Sequence, residues 1–294
     1  MDIKVTIGVC VKNSEKIIKQ ALKSIAEQSF PHESMKLIIV DDGSTDGTFS
    51  VAKDFILHMD IEADVYRSGG KGLAFSRQLV VDAAQGDYVV WIDGDQEIPK
   101  DFIQKHVEFM ENNPTIALAC GNEIPRGKTL VALLESMSIT LKNRMSSSTI
   151  DVGGGIFSLK AIKEIGGFDT SLKGAGEDVE ITNRMKRAGM KIAGDKAEFY
   201  HNHRTTWKAL WNEYSWWGYG MHYVNHRQKH GHFPSARIPV LSFFIGLKLA
   251  LSLYKLFHQK KVFFLPFQYL FKNFSFCLGY AKSHIDRHGH SEIK

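Results

Sequence analysis

The first 120 residues alternate short apolar strands with amphipathic helices, and this alternation limits the fold more than any other feature. Every second residue from position 3 to position 11 is apolar, as in a strand that buries one face. Ile18, Leu22 and Ile25 then recur at helical spacing. Further short apolar runs that favour strands lie at residues 37–40, 63–66, 88–92 and 115–119. This βαβαβ order predicts an α/β protein with a mainly parallel sheet flanked by helices.

Composition narrows the class of protein further. Hydrophobic residues make up 44% of the chain and charged residues 23%, which are ordinary globular values that exclude disordered and coiled-coil classes. Cys10, Cys120 and Cys277 are far apart in sequence, which argues against a disulfide scaffold and suits a reducing compartment. The amino terminus has no basic segment followed by an apolar one, so we expect no secretory signal and a cytoplasmic protein.

Charge is divided unevenly along the chain. Residues 1–200 carry 24 Lys and Arg against 29 Asp and Glu, whereas residues 201–294 carry 13 against 3. The basic part also contains two apolar runs, at residues 238–254 and 262–271. We therefore predict a peripheral or monotopic helical segment on the cytoplasmic face of a membrane. Packing on the rest of the chain or on a second subunit is the alternative, and the segment is too apolar for nucleic acid.

In the membrane interpretation, basic side chains face the lipid headgroups while aromatic and aliphatic ones enter the acyl boundary. The lysines expected to face the headgroups are Lys248, Lys255, Lys260, Lys261 and Lys272.

Acidic residues follow two of the predicted strands. Asp93 and Asp95 flank Gly94 directly after the run 88–92, and Asp41 and Asp42 end the run 37–40. Ligands of parallel sheets collect at the carboxyl ends of the strands. Carboxylates there could hold Mg²⁺ or Mn²⁺ on a diphosphate, or bind a ribose, although solvated turns and helix caps have the same composition.

Two further polar pairs come later in the chain. Glu177 and Asp178 open a helix after a glycine-rich loop, where one acid could act as a general base or merely cap the helix. His201 and His203 lie two residues apart in an extended segment, so both side chains can face one metal ion or phosphate. Surface histidines would give the same pattern.

Taken in order, these motifs resemble the family 2 glycosyltransferases, which have the GT-A fold. The resemblance covers about the first 220 residues and includes two more segments, Gly70–Gln78 and Gly166–Asp169. The chain departs from the family at Gln78, where Asn is more frequent, and at Gly94 in the middle of the acidic motif. The side chain at position 94 is expected to point away from the metal.

The resemblance implies a nucleotide site. Asp41 and Asp42 would contact the base and the ribose, with the Val9 backbone nearby and Arg77 beside the nucleotide. Asp93 would hold the donor ribose.

It also implies a metal and catalytic site. Asp93 and Asp95 would bind Mn²⁺ or Mg²⁺ on the donor diphosphate, completed by His201 and by His203. Asp178 would deprotonate the acceptor hydroxyl, with Glu177 beside it. The floor near the donor sugar and acceptor would consist of Gly153, Gly154 and Gly155.

The implied protein has a GT-A catalytic domain at residues 1–230 and a helical, membrane-associated segment at residues 231–294. Its expected function is an inverting glycosyltransferase that moves a sugar from a UDP- or GDP-linked donor to an acceptor hydroxyl on a membrane-associated or lipid-linked glycan. A polyprenyl-phosphate sugar transferase is an alternative. A catalytically silent sugar-nucleotide-binding scaffold is another, but it would need neither the Asp93–Asp95 pair nor Asp178. The first strand lacks a following GxGxxG turn, which argues against a dehydrogenase.

Overall fold

The computed structural model describes residues 2–145, 153–227, 233 and 235–289. The strands are β1 (Val5–Val11), β2 (Met35–Asp41), β3 (Glu62–Arg67), β4 (Tyr88–Trp91), β5 (Gln96–Glu97), β6 (Ile116–Arg126), β7 (Gly155–Ser158) and β8 (Lys191–Asn202). The first helices are α1 (Ile18–Ala26), α2 (Thr48–Ile56), α3 (Leu73–Ala83), α4 (Phe102–Asn112) and α5 (Leu130–Met145). The later ones are α6 (Leu159–Glu164), α7 (Glu177–Arg187), α8 (Trp207–Arg227), α9 (Pro239–Phe257) and α10 (Leu265–Ile285).

These elements form two compact units. The sheet unit consists of Met1–Ile124, Ser147–Ser171 and Asp178–His201. The helical unit consists of Pro125–Ser146, Leu172–Glu177 and Asn202–Lys294. The division into a catalytic domain at residues 1–230 and a helical segment at residues 231–294 stays a prediction.

The sheet has the strand order β3-β2-β1-β4-β7-β6-β8-β5. The pairs β1–β2, β1–β4 and β2–β3 are parallel, whereas β4–β7, β6–β7 and β5–β8 are antiparallel. This confirms the predicted mixed, mainly parallel sheet. Helices cover both faces: Leu37 and Ile39 pack into one apolar cluster, and Ile38 and Val40 into another. Burial on both faces explains why this strand is a continuous apolar run rather than an alternating one.

Strand register brings the acidic motifs to one edge of the sheet. In β1, Val11 lies opposite Asp41 of β2, and Gly8 lies opposite Trp91 of β4. Both neighbours run parallel to β1, so Asp41 and the turn that begins at Asp93 flank its carboxyl end. This is the edge at which parallel sheets bind ligands.

The helical unit extends the sequence prediction in one place and contradicts it in another. Most of the apolar run 262–271 belongs to a longer helix, because α10 extends to Ile285 and is 21 residues long. Pro266 lies in its first turn, where the missing N–H removes no helical hydrogen bond. Lys272 does not face the surface as predicted; it is buried, and its Nζ lies 2.7 Å from Oε1 of Glu135 on α5. A partner 137 residues away cannot be seen in a local charge pattern.

Helices α8 and α10 pack closely through glycines. A Cβ on Gly279 would lie 1.9 Å from the carbonyl oxygen of Ser215, and one on Gly218 would lie 2.0 Å from that of Phe276. Among the helices in the described ranges, Pro239–Phe257 is the one whose length and apolar composition suffice to cross a membrane, and 22% of its most apolar stretch is buried.

Candidate active site

The turn after β4 carries two carboxylates in a fixed conformation. The Asp93 N–H donates to Oε1 of Gln96 at 3.0 Å, and the Gln96 N–H donates to the Asp93 carbonyl at 2.9 Å. Gly94 is closely packed, because a Cβ there would lie 2.8 Å from Cγ1 of Val11. A larger residue would therefore push the turn away from β1, which gives a physical reason for glycine at this position.

Asp93 lies in a strongly charged environment. Nη2 of Arg77, a buried residue of α3, is 3.3 Å from Oδ1 of Asp93. Burial raises the pKa of Asp93, the Arg77 guanidinium lowers it, and the charges of Asp95 and Asp178 raise it while His201 lowers it. The role of Asp178 as a base beside the donor stays a prediction.

Strand pairing brings His201 to the acidic turn. In the β5–β8 ladder Gln96 lies opposite His201, so the imidazole reaches the neighbouring Asp95, with Nε2 3.6 Å from Oδ1. Its Nδ1 lies 3.0 Å from Oε1 of Glu123. Burial lowers the pKa of His201, but hydrogen bonds with Asp95 and Glu123 outweigh it and raise the pKa well above the usual value.

Glu123 is a site residue that the sequence analysis missed. It lies on β6, beyond the run 115–119 from which this strand was predicted, and β6 extends to Arg126. The available signal was an isolated acid shortly after an apolar strand, the same signal that drew attention to Asp93. Glu123 and His201 can each offer one ligand atom to an ion. Carboxylate oxygens and a neutral imidazole are suitable ligands for Mn²⁺, so the residues present fit the implied metal.

The two histidines of the predicted metal site fall in different units. His201 ends the last segment of the sheet unit, and His203 follows in the helical unit. There the His203 N–H donates to the Arg126 carbonyl at 3.1 Å. A metal-ligand role for His203 stays a prediction.

The predicted nucleotide site has a well-ordered hydrogen-bond network. Asp41 accepts from the N–H of Ser44 at 3.0 Å, and also from its hydroxyl. Asp42 accepts from the Ser68 hydroxyl and from the Gly72 N–H. Both carboxylates thus hold neighbouring loops in place. Their contacts with a base and a ribose stay predictions, as does the role of the Val9 backbone, whose side chain is buried in the core.

The remaining predicted residues lie at the start of α7 and before β7. Glu177 is buried and Asp178 half-buried in the first turn of α7. Gly153 and Gly154 form a turn that leads into Gly155, the first residue of β7.

Gln78, where the family more often has Asn, has a structural role away from the predicted site residues. Its Oε1 accepts from the Phe168 N–H at 2.7 Å, which joins two of the segments on which the resemblance rests.

Comparisons with known proteins support the resemblance. The sequence pattern of glycosyl transferase family 2 matches residues 6–162, and that of glycosyl transferase family group 2 matches residues 88–280. The chain belongs to glycosyl transferase family 2. The first match covers the acidic turn and the strands that precede it in the chain. The second match extends into the helical unit.

A curated family member with similar sequence is the poly(ribitol-phosphate) beta-N-acetylglucosaminyltransferase TarS of Staphylococcus aureus. It is 27% identical over 111 residues, which make up 38% of this chain and 19% of TarS. The chain thus spans about a fifth of that relative.

Two solved structures have a similar fold. The mannosyltransferase PcManGT from Pyrobaculum calidifontis, in complex with GDP-Man and Mn²⁺, has a TM-score of 0.67 at 17% identity, covering 98% of this chain and 88% of that chain. TarS 1–349 from S. aureus, in complex with UDP-GlcNAc, has a TM-score of 0.53 at 15% identity, covering 97% and 92%. The sheet with its flanking helices is a GT-A fold.

Proposed function

We propose that this family 2 glycosyltransferase is a metal-dependent inverting enzyme that transfers a sugar from a nucleotide-diphosphate donor to an acceptor hydroxyl at a membrane surface. The observation that carries the proposal is the convergence of three acids and one histidine in the sheet unit. These residues are Asp93, Asp95, Glu123 and His201. The GDP-Man and UDP-GlcNAc complexes of PcManGT and TarS support a sugar-nucleotide donor.

The metal would be held by Asp95 and His201, with Asp93 and Glu123 beside them. When bound, Mn²⁺ or Mg²⁺ neutralises the charge that develops on the departing nucleotide diphosphate. Arg77 already forms an ion pair with the Asp93 carboxylate. The chain therefore presents its ligands in a preformed arrangement, which avoids ordering them when the donor binds.

Asp178 is proposed to act on the acceptor. It lies in the first turn of α7. Its carboxylate takes the proton of the acceptor hydroxyl while that oxygen attacks the anomeric carbon from the face opposite the leaving group, and the bond from that carbon to the nucleotide diphosphate breaks. Single displacement of this kind inverts the configuration of the sugar.

Thermal stability with nucleotides tests the donor and the metal together. The purified protein is heated with UDP, GDP and their sugar conjugates, with and without Mn²⁺, because a ligand that binds the folded state raises the melting temperature. We expect one nucleotide series to raise it only with Mn²⁺, and Asp95→Ala to abolish the increase. Equal shifts with and without metal would contradict the metal site, and no shift with any nucleotide would contradict the sugar-nucleotide donor.

The membrane part of the proposal comes from the inverted polarity of α10. Its exposed side includes Phe267, Phe274 and Leu278, which are 59%, 50% and 48% exposed. Its buried side carries polar residues, including Gln268 and Lys272. In a helix surrounded by water the two sides would be exchanged, because apolar area is stabilised by burial.

The interior of the helical unit provides hydrogen-bond partners for Nε2 of Gln268 and for Lys272. Nε2 of Gln268 donates to the Val131 carbonyl at 2.9 Å. Glu135 pairs with Lys272 and also accepts from the hydroxyl of Tyr214 at 3.3 Å. A hydrogen-bonded polar interior under an apolar exterior is an arrangement suited to lipid.

The exterior of α9 matches that of α10. Val240, Phe244 and Leu251 are 68%, 60% and 50% exposed along one side of the helix. A groove of about 400 Å³ lies between Trp211 of α8 and the apolar side of α10. The groove is lined by Trp211, Phe267, Leu270, Phe271 and Phe274.

Basic residues support a lipid surface as the occupant of this apolar face. Lys255 is exposed in the last turn of α9, Lys260 and Lys261 are exposed between α9 and α10, and Lys248 is exposed in the middle of α9. A span across the bilayer would place Lys248 near its centre, at a cost of about 2.5–3.5 kcal/mol. A helix lying in the interface instead leaves these four lysines near the headgroups. This placement favours an acceptor that is made at the membrane or linked to it.

Flotation with vesicles tests the membrane surface. Vesicles of phosphatidylcholine alone and vesicles that also contain phosphatidylglycerol are mixed with the protein and separated by density. We expect stronger binding to the anionic vesicles, weakened by salt and by Lys255→Gln, Lys260→Gln and Lys261→Gln together, because each lysine near such a surface contributes about 1 kcal/mol. If the protein binds neither kind of vesicle and is a dimer in solution, a second copy of the chain covers this face instead.

A further inference from the structure

A buried histidine–aspartate pair lies in the sheet unit outside the group of residues assigned to metal and acceptor. His106 on α4 is fully buried, and its Nδ1 contacts Oδ2 of Asp195 on β8, whose side chain is 2% exposed. The ring is further held by Phe102, whose centroid lies 4.4 Å away in an edge-on arrangement. Oδ1 of Asp195 accepts from the Ala197 N–H at 2.9 Å, which ties the pair to the β8 backbone.

The second nitrogen of His106 contacts the turn before β7. Nε2 lies 3.2 Å from the carbonyl oxygen of Gly154. A carbonyl oxygen can only accept, so Nε2 is the donor. The same oxygen accepts from the Gly121 N–H at 3.1 Å, and the Gly154 N–H donates to the Trp91 carbonyl at 2.8 Å. Gly154 is thus held by three separate elements.

The backbone at Gly154 leaves no room for another residue. Its φ is +74°, in the left-handed region that favours glycine. A Cβ there would lie 2.4 Å from the Phe199 ring. Neither the conformation nor the packing tolerates a side chain, so the carbonyl is presented to His106 by a dedicated turn.

The residues around Gly154 are linked to the active site in a regular way. Trp91, Gly121 and Phe199 each touch Gly154, or the Cβ position it lacks, and each lies two residues before a site residue. These site residues are Asp93, Glu123 and His201. Residues two apart on a strand share one side of the sheet, as Gly121 and Glu123 do on β6 and Phe199 and His201 do on β8. Trp91 ends β4 just before the turn that carries Asp93. Displacing Gly154 would therefore disturb the segments that carry all three site residues.

A buried polar pair is a poor means of stabilising a fold, because the cost of desolvating both groups offsets most of their attraction. We infer that His106 is a positioning residue, which Asp195 orients so that its Nε2 holds the Gly154 carbonyl and fixes the Gly153–Gly155 turn as the floor for the donor sugar. The inference rests on the proposed function. It predicts a defect in placing the sugar, with binding of the nucleotide unaffected.

Two substitutions separate the two hydrogen bonds of His106. Gln places an amide nitrogen near the position of Nε2, whereas Asn places one near Nδ1. We expect His106→Asn to lower kcat by about tenfold to hundredfold, the size of loss caused by misplacing a substrate by about 1 Å. His106→Gln should restore most of kcat. Both variants should bind the nucleotide diphosphate without its sugar as tightly as the unmodified protein.

His32 supplies a matched control in the same unit. Its Nδ1 lies 2.6 Å from Asp60 and its Nε2 3.0 Å from the Gln28 carbonyl, the same pair of contacts near the opposite end of β2. His32→Asn should leave kcat unchanged. Equal losses in His106→Asn and His106→Gln would show a merely structural role and overturn the inference, as would full activity of His106→Asn.

Asp195→Asn decides the question if His106→Asn does not fold. Asn keeps the volume of Asp but loses the charge that orients the imidazole, so kcat should fall while nucleotide binding stays the same. Unchanged kcat in Asp195→Asn would overturn the inference and leave the proposed function intact. Absence of transfer by the unmodified protein, with every donor and acceptor tried, would overturn both.

Discussion

The sheet unit and the helical unit place polar and apolar residues in opposite ways. In the sheet unit, apolar strands and helices form the interior, and the acidic site lies at the ends of the strands. In the helical unit, Glu135 and Lys272 lie inside while Phe267 and Phe274 lie outside. Under the proposed function, this difference suits two surroundings: water at the chemical site and lipid at the exterior of the helical unit. Substitutions that change the properties of one unit and leave those of the other unchanged test this difference.

The largest effect is expected from removing the proposed base. Asp178→Asn should lower the transfer rate by about 10²–10⁴-fold, because the amide cannot take the acceptor proton. Donor binding, measured by thermal shift, and vesicle binding should remain unchanged, since neither needs this carboxylate. Asp54→Asn, an exposed aspartate on α2, serves as the control and should keep full activity.

An unchanged transfer rate in Asp178→Asn would break the assignment of the base. It would favour an acceptor that is already an anion, such as a polyprenyl phosphate, because such a nucleophile has no proton to lose. Loss of vesicle binding in the same variant would break the comparison itself.

The next largest effect is expected inside the helical unit. Lys272→Met should destabilise it by about 3–5 kcal/mol, because Glu135 is left buried without its partner. Four of the five tryptophans lie on α8, so fluorescence during urea unfolding reports this unit. Lys272→Met combined with Glu135→Leu should recover most of the loss, and Lys282→Met, exposed on the same helix, should have little effect. If the double variant is as unstable as Lys272→Met alone, the unpaired Glu135 is not the cause of the lost stability.

The sequence alone predicted the sheet because its strands carry their own signal. The segment 37–40 is continuous and apolar, since β2 is buried on both faces. The prediction that Lys272 faces the lipid headgroups was wrong. The local pattern gives charge and spacing, but it does not show which side of α10 faces the interior. The partner that buries it lies on α5, far away in the sequence.

The candidate site was predicted in part for a similar reason. Asp93, Asp95 and Asp178 follow or open regular elements, so their positions could be placed on a sheet edge or a helix start. Glu123 and the His106–Asp195 pair depend on antiparallel register and on contacts between distant segments. Such contacts are determined by tertiary packing, and a single sequence contains no spacing that reveals them.

A smaller effect is expected at the apolar exterior. Phe274→Ser should weaken vesicle binding by about 1.5–3 kcal/mol, the value of burying one such side chain, without lowering the melting temperature in the absence of lipid. The matched control is Leu57→Ser, which removes the most exposed large aliphatic side chain of the sheet unit, 72% exposed. It should leave vesicle binding unchanged. An equal loss of vesicle binding in both variants would show that the binding is nonspecific. The exterior of the helical unit would then be no better suited to lipid than that of the sheet unit.

The smallest effect is the pH dependence of metal binding. The pKa of His201 is raised, so in the metal-free protein the imidazole carries a proton that a metal ion must displace. Affinity for Mn²⁺ should therefore rise with pH, by about tenfold per pH unit while pH stays below that pKa, and become level above it. Isothermal titration of Mn²⁺ with the donor nucleotide at several pH values measures this slope.

His201→Asn provides the comparison for that slope. It removes the titrating ring, so the pH dependence should become shallower even though the remaining carboxylates still bind the ion. The same slope in the variant and the unmodified protein would mean that another group, such as Asp93 with its raised pKa, releases the proton. In either case vesicle binding should not follow the same pH curve, because the apolar face of the helical unit contributes no proton to the site.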